Sequence, residues 1–168
     1  MQVNLLPVVN ADGRELLINE SIDLSDKSEF GVRFLKPVSV EGKFLNVAGS
    51  LEFSGTVKAE LSFLCDRCGE WFDMPLEFEF SEILKKELDN REEGDENPDV
   101  IFYEGSNVDI APIIYNNLFM NFPSKRLCSE NCKGLCSVCG ANLNEGECGC
   151  KEEVTDPRFD ILDSFFKE

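Results

Sequence analysis

A chain of 168 residues with no histidine cannot build a Ser-His-Asp triad, a Cys-His nucleophile or an imidazole-ligated catalytic metal. Hydrophobic residues make up 42% of it and include fourteen Phe, enough to bury the core of one domain or two small ones. Thirty-three Asp and Glu against sixteen Lys and Arg leave a net charge of −17, which argues against strong, sequence-independent binding to phosphate and favours basic partners.

The segment Met1 to Pro7 has no basic n-region and no small-residue cleavage site. No apolar run nears the roughly 20 residues a membrane-spanning helix needs, so the cytoplasm is the expected compartment. From Val38 to Phe63 apolar residues recur largely at every second position, through Val40, Phe44, Val47, Leu51, Phe53, Val57, Ala59 and Leu61, with breaks at Gly42, Gly49 and Gly55. This pattern predicts strands joined by turns or bent at bulges. Two cysteines follow at Cys65 and Cys68. A second alternating run, Leu76 to Phe80 after Pro75, predicts a strand ending near Leu84. A helix starting at Ser81 is the weaker reading of its second half.

Residues 89–99 contain no apolar side chain and form the natural seam of the chain, an acidic loop. Beyond it Val100 to Tyr103 predicts a short strand. Asn107 or Asp109 can cap a helix that runs to about Phe122 and is ended by Pro123, with Ile110, Ile113, Ile114, Leu118 and Phe122 on one face. Thr155-Asp156-Pro157 places a capping side chain before a proline at the first helical position, so a last amphipathic helix is expected, its stripe Phe159, Leu162, Phe165 and Phe166 facing a core.

Chemistry concentrates in the eight cysteines. Cys65-Asp66-Arg67-Cys68-Gly69 and Cys136-Ser137-Val138-Cys139-Gly140 are both Cys-x-x-Cys-Gly knuckles. In such a hairpin two thiolates converge on one metal, and the glycine permits the positive φ that turns backbone amides toward sulfur. In a reducing compartment closely spaced cysteines read as ligands before disulfides. With four sulfurs required per tetrahedral ion, the expectation is two structural zinc ions. The favoured grouping is a local site, Cys136, Cys139, Cys148 and Cys150, within fifteen residues, plus a long-range site of Cys65, Cys68, Cys128 and Cys132. Pairing Cys65 and Cys68 with Cys136 and Cys139, or Cys128 and Cys132 with Cys136 and Cys139, remains open. Two filled sites would carry the net charge to about −21.

A thioredoxin-like redox role is disfavoured, since that motif opens a helix whereas Cys65 and Cys68 stand between two predicted strands. Trp71 follows the first knuckle and, with Arg67, Lys125 and Arg126, could form a small basic island for nucleic acid. Arg67 beside a thiolate cluster more simply neutralises it, and a strand-borne aromatic more simply packs in a core. The expected class is therefore α+β. Residues 1–88 form an antiparallel β-rich half with the first knuckle, and residues 100–168 form a helical, zinc-binding half of one helix, the Cys-rich region and the C-terminal amphipathic helix.

Leu64-Cys65-Asp66-Arg67-Cys68-Gly69-Glu70-Trp71-Phe72, the run from Cys128 to Asn144 with its Gly-Leu-Cys-x-x-Cys-Gly-Ala-Asn-Leu-Asn stretch, Cys148-Gly149-Cys150 and Asp156-Pro157-Arg158 together resemble the signatures of the YceD family, the large ribosomal RNA subunit accumulation proteins. The resemblance spans most of the chain. It implies a bacterial, cytoplasmic, non-enzymatic factor in ribosome biogenesis, needed for accumulation or processing of 23S ribosomal RNA and often encoded beside a large-subunit ribosomal protein gene. Two departures stand out: the family commonly has proline at Ser137, and an acidic helix ending in Leu-Ala-Leu-Pro where this chain has Tyr115 to Pro123. The partners this suggests are ribosomal or ribosome-assembly proteins, with direct contact to ribosomal RNA through the knuckles as the alternative. Neither a membrane nor a small-molecule substrate is expected.

Overall fold

Alternating apolar side chains between Val38 and Phe80 assemble the body of the protein, because strands with one apolar face bury it together by pairing in a sheet. A computed structural model describes residues 1–28, 31–87 and 100–150. In chain order the elements are β1 (Gln2–Asn4), α1 (Leu6–Val9), β2 (Glu15–Ile22), β3 (Val32–Phe34), β4 (Val38–Val47), β5 (Ser50–Leu64), β6 (Trp71–Lys86), β7 (Val100–Tyr103), β8 (Asn107–Asp109) and α2 (Ile110–Met120). The chain divides into two units. One holds Met1–Leu64 and Trp71–Arg126, and the other holds Cys65–Glu70 with the residues from Leu127 on.

The first unit is a six-stranded sheet in the order β2-β4-β5-β6-β7, with β3 pairing β5 and a separate two-stranded pair of β1 with β8. All pairings are antiparallel except β6 with β7, which run parallel from Ile83 beside Val100 to Lys86 beside Tyr103. The register places Phe44 opposite Phe53, Val40 opposite Val57, and Val57 opposite Phe78. These residues share the face that buries the core with Leu5 and Val8 near α1 and Ile110, Ile114 and Leu118 of α2. Phe44 stacks on Phe53 at 4.3 Å between ring centroids, and Phe53 meets Phe80 edge-on at 4.7 Å.

Gly42 and Gly55 lie opposite each other in β4 and β5. A Cβ on Gly55 would fall 2.3 Å from the Glu41 carbonyl oxygen, and one on Gly42 2.6 Å from that of Ser54. The two backbones therefore approach more closely than side chains allow. Pro75 lies inside β6, opposite Glu60. It is tolerated there because β7 joins β6 only from Ile83 onward, so the stretch around Pro75 needs no donor on that edge.

Asp109 caps α2 by accepting from the Ala111 amide at 3.1 Å and receives the Met1 ammonium at 2.6 Å. Asn117 reaches Glu82 of β6 with its side-chain amide at 2.6 Å. Buried Asn46 ties α1 to β4: its Nδ2 donates to the carbonyls of Val8 and Val9 at 2.9 and 2.8 Å, and its Oδ1 accepts from Gly49. A buried amide is tolerated when its donors and acceptor are satisfied in this way.

The helical C-terminal half is corrected. Strand dominates the described chain, and α2, of eleven residues, is its only helix longer than one turn. Cys128 to Cys150 run through turns without helix. The physical reason is visible in the backbone: Gly134, Gly140, Gly146 and Gly149 all carry positive φ, and converging sulfurs need tight turns rather than a continuous cylinder. The helix expected after Asp109 is present but ends at Met120, two residues short of Phe122. β6 starts at Trp71 rather than Leu76, and β2, which pairs with β4 along its whole length, escaped notice because Leu16-Leu17-Ile18 blurs its alternation. The acidic loop at 89–99 and the helix expected from Thr155 lie outside the described residues. No described helix is long and apolar enough to cross a membrane.

Candidate metal centres

The turn between β5 and β6 is Cys65 to Glu70, and its backbone repeats in the second Cys-x-x-Cys-Gly segment. The Cys65 amide donates to the Glu70 carbonyl at 2.9 Å and the Gly69 amide to the Cys65 carbonyl at 3.0 Å. The corresponding bonds of the second knuckle run from Cys136 to Ala141 at 2.8 Å and from Gly140 to Cys136 at 2.9 Å. Gly69 and Gly140 both sit at φ 73°, a left-handed conformation that glycine adopts without the Cβ penalty. Two stretches of chain with one local code thus form one hairpin twice.

The eight sulfurs gather in two fours. Cys65, Cys68, Cys128 and Cys132 form one centre; Cys136, Cys139, Cys148 and Cys150 form the other; within each, the sulfurs lie within 4.8 Å of one another. This is the grouping the spacing favoured, and the two alternative pairings of knuckles are not formed. In the first centre the Cys65 and Cys132 sulfurs stand 3.8 Å apart and those of Cys68 and Cys128 3.6 Å apart. A tetrahedron with metal–sulfur bonds of about 2.3 Å has edges of about 3.8 Å. The donor set and its spacing therefore suit a soft or borderline tetrahedral ion. Cys65, Cys68 and Cys132 are buried and Cys128 is exposed, whereas Cys139 and Cys150 of the second centre are exposed and Cys136 and Cys148 half-buried.

Hydrogen bonds to sulfur are already aimed. The Cys128 amide points at the Cys65 sulfur and the Val138 amide at the Cys136 sulfur, each at 3.4 Å. Burial opposes ionisation of Cys65, but donors from Cys128, Cys68 and Arg67 outweigh it and bring the thiol down to about 6. The Cys139 and Val138 amides bring Cys136 to about 6 as well. Cys132 is lowered, first by the side-chain amide of Asn144, against the effect of burial. Cys128, hydrogen-bonded to the Cys132 sulfur, is pushed up to about 12, and so is Cys150, hydrogen-bonded to the Cys139 sulfur. Each centre thus holds sulfurs ready to ionise beside sulfurs that keep their protons until a cation replaces them.

Arg67 is spent inside its own unit: Nη1 donates to the Cys132 carbonyl at 2.9 Å, and the Arg67 carbonyl rests where a Cβ on Gly134 would come within 3.1 Å. Trp71, Lys125 and Arg126 belong to the sheet unit. Trp71 is partly exposed and carries the Arg33 guanidinium 3.7 Å above its ring, a partner that spacing along the chain did not suggest. Asn142 and Asn144 also went unassigned by chemistry. Asn144 donates to the Cys132 sulfur at 3.4 Å, and the only signal in the chain was the Gly-Ala-Asn-Leu-Asn stretch itself.

Residues 53–166 match the model of the family described as large ribosomal RNA subunit accumulation protein YceD, and both knuckles fall inside that span. The chain belongs to the YceD family. Relatives include an Arabidopsis thaliana protein named large ribosomal RNA subunit accumulation protein YCED homolog 1, chloroplastic, 27% identical over 84% of this chain and 56% of its own length. The Zea mays protein of the same name is 26% identical over 68% of this chain and 49% of its own. YlbN of Bacillus subtilis (strain 168), an uncharacterised protein, is 27% identical over 89% of this chain and 87% of its own. The chain spans about half the length of these two plant relatives. No solved structure gives a significant match. YceD membership fits a protein whose most specific residues are sulfur ligands and the turns that hold them.

Proposed function

We propose that this chain is a non-enzymatic factor of ribosome biogenesis, supporting accumulation or processing of large-subunit 23S ribosomal RNA, and that it works in the cytoplasm by binding a basic ribosomal or assembly protein. Family membership and the names of the plant relatives support the process. The observation that favours a protein partner is the outward face of the sheet. The register sets Glu41 opposite Thr56 and Thr56 in turn opposite Glu79, Lys58 opposite Glu77, and Leu45 opposite Glu52. The lysines near this face are engaged: Lys43 with Glu15 at 2.7 Å, Lys36 with Glu60 at 2.8 Å and Lys58 with Glu77 at 3.3 Å. A broad acidic surface attracts cationic protein and repels phosphate.

Zinc is the ion that best suits two four-thiol sets in a reducing compartment. Bound there, it supplies cross-links and no open coordination position. Cys65, Cys68, Cys128 and Cys132 would hold one ion and Cys136, Cys139, Cys148 and Cys150 the other. The test is a comparison of affinities for purified large-subunit ribosomal proteins and for naked 23S ribosomal RNA at matched salt. Tighter binding to at least one ribosomal protein is expected; equal or tighter binding to the RNA overturns the reading.

A second reading, direct contact with RNA, is favoured by Trp71, exposed beneath Arg33. Its signature is a steep fall of RNA affinity with salt that becomes shallower in Arg33→Gln, together with affinity lost in Trp71→Ala.

A further inference from the structure

We infer that the two metal centres are energetically coupled and that Asn144 is the residue that couples them. The inference rests on the reading that both thiol sets hold metal. The second knuckle fixes Asn142, which pairs with Leu135 across the turn that carries Cys136 and Cys139. Asn142 Oδ1 then accepts twice from Asn144, from its backbone amide at 3.1 Å and from its Nδ2 at 2.8 Å. Leu143, between them, donates to the Gly134 carbonyl at 2.9 Å. The Asn144 side chain is thereby held by the hairpin of the second centre, four residues before Cys148.

Its other contacts belong to the first centre. Oδ1 accepts from the Lys133 amide at 2.8 Å, and Nδ2 donates to the Cys132 sulfur at 3.4 Å. The orientation of the amide group follows from this network: an oxygen is required toward the Lys133 N–H, which leaves the nitrogen toward sulfur. The backbone donors named above, Cys128 to Cys65 and Val138 to Cys136, each serve a sulfur of the centre in which they stand. Asn144 crosses from one to the other. A donor of this kind orients a ligand and stabilises its thiolate, and losing such an outer partner typically lowers metal affinity by about 10- to 100-fold. Because the hairpin of the second centre holds the donor, filling that centre favours filling of the first, and linkage makes the effect reciprocal.

The experiment uses the full chain and measures Co(II) and Zn(II) affinity at each centre, the first followed through its thiolate-to-cobalt absorption. The chains compared are the unsubstituted protein, Asn144→Ala, Asn144→Asp, Cys148→Ser with Cys150→Ser, and that pair combined with Asn144→Ala. The pair and Asn144→Ala are each expected to weaken the first centre about tenfold or more, and the combined chain to be no weaker there than the weaker of the two. Asn144→Asp keeps the acceptor for Lys133 but sets a carboxylate against sulfur, so it should bind at least as poorly as Asn144→Ala, with a shifted cobalt band. If the paired cysteine chain loses its loop altogether, Asn144→Asp still decides, since first-centre affinity and spectrum like those of the unsubstituted protein overturn the coupling. Multiplicative losses in the combined chain overturn it as well. Uptake of a single ion by the unsubstituted protein removes the two-metal reading itself, whereas two ions of independent affinity remove only the coupling.

Discussion

Asp109 shows how one side chain serves two neighbours at once. Its carboxylate accepts from the Met1 ammonium and from the Ala111 amide at the start of α2. The ammonium holds its pKa below the usual carboxylate value, against the opposing effect of burial and with a lesser contribution from the Ala111 amide. The group therefore stabilises the fold at pH values above the unfolded pKa of about 3.9, and the contribution disappears as acid carries the pH down through the lowered folded value. Asp109→Ala should cost about 1 kcal/mol in denaturant unfolding at neutral pH, and Asp109→Asn should flatten the dependence of stability on pH below about 4. Gly140 makes a similar case by conformation alone. A Cβ there meets nothing within 4 Å, so Gly140→Ala adds only the left-handed strain of about 1–2 kcal/mol. Metal titration should show that strain as roughly tenfold weaker uptake at the second centre. Unchanged affinity would mean that the knuckle glycine has no energetic role. Both residues were legible from spacing, Asp109 by its place before an apolar helix face and Gly140 by its place after the second ligand. Asn144 was not, because its work depends on a sulfur twelve residues away along the chain.

Among the elements, β4, β5 and β6 could be read in advance because period-two alternation survives along most of their length. Their ends could not. β6 runs sixteen residues from Trp71, past a proline that by local rules should begin a strand rather than sit inside one. The tolerance comes from the late arrival of β7 as a neighbour, which is a fact of topology. Gly42 and Gly55 looked like punctuation and are instead a point of close contact between paired strands. Gly55→Val should force β4 away from β5 and destabilise the sheet unit by about 1–3 kcal/mol, measured as a lowered unfolding midpoint. A variant as stable as the parent would show that the register can slip to relieve the clash. The expectation of a helical C-terminal half failed for a related reason: composition announced ligands, but their turns, each closed by a positive-φ glycine, leave no run long enough for a helix.

At the scale of the molecule the two units solve the stability problem differently. The sheet unit encloses a continuous apolar core from Leu5 to Leu118. In the cysteine unit, among the described residues, the buried side chains are those of Cys65, Cys68 and Cys132, while Leu135 and Val138 are largely exposed at 47% and 52%. On the proposed reading, a metal ion held by the four sulfurs of each cluster would take the place of a hydrophobic core there, as in other small metal-folded modules. Stripping metal with a strong chelator should therefore abolish amide-exchange protection in Cys65 to Glu70 and in Leu127 to Cys150 while β4, β5 and β6 stay protected. The second centre, with Cys139 and Cys150 exposed, should lose its ion first. Protection that survives full metal removal in the cysteine segments would refute metal-dependent folding of this unit.

What the residues alone determined is chemical: no histidine, eight cysteines of which four form two matching knuckles, an acidic charge, and the alternation of three central strands. Those properties are local, written in the identity and spacing of neighbours, and need no partner to be recognised. Tertiary structure alone decided among the open groupings of sulfurs, why a proline and two glycines fit within strands, and that an asparagine held by the hairpin of the second centre reaches a ligand of the first. Each of these depends on atoms that are distant in sequence and adjacent in space, and only the packed chain brings them within bonding range.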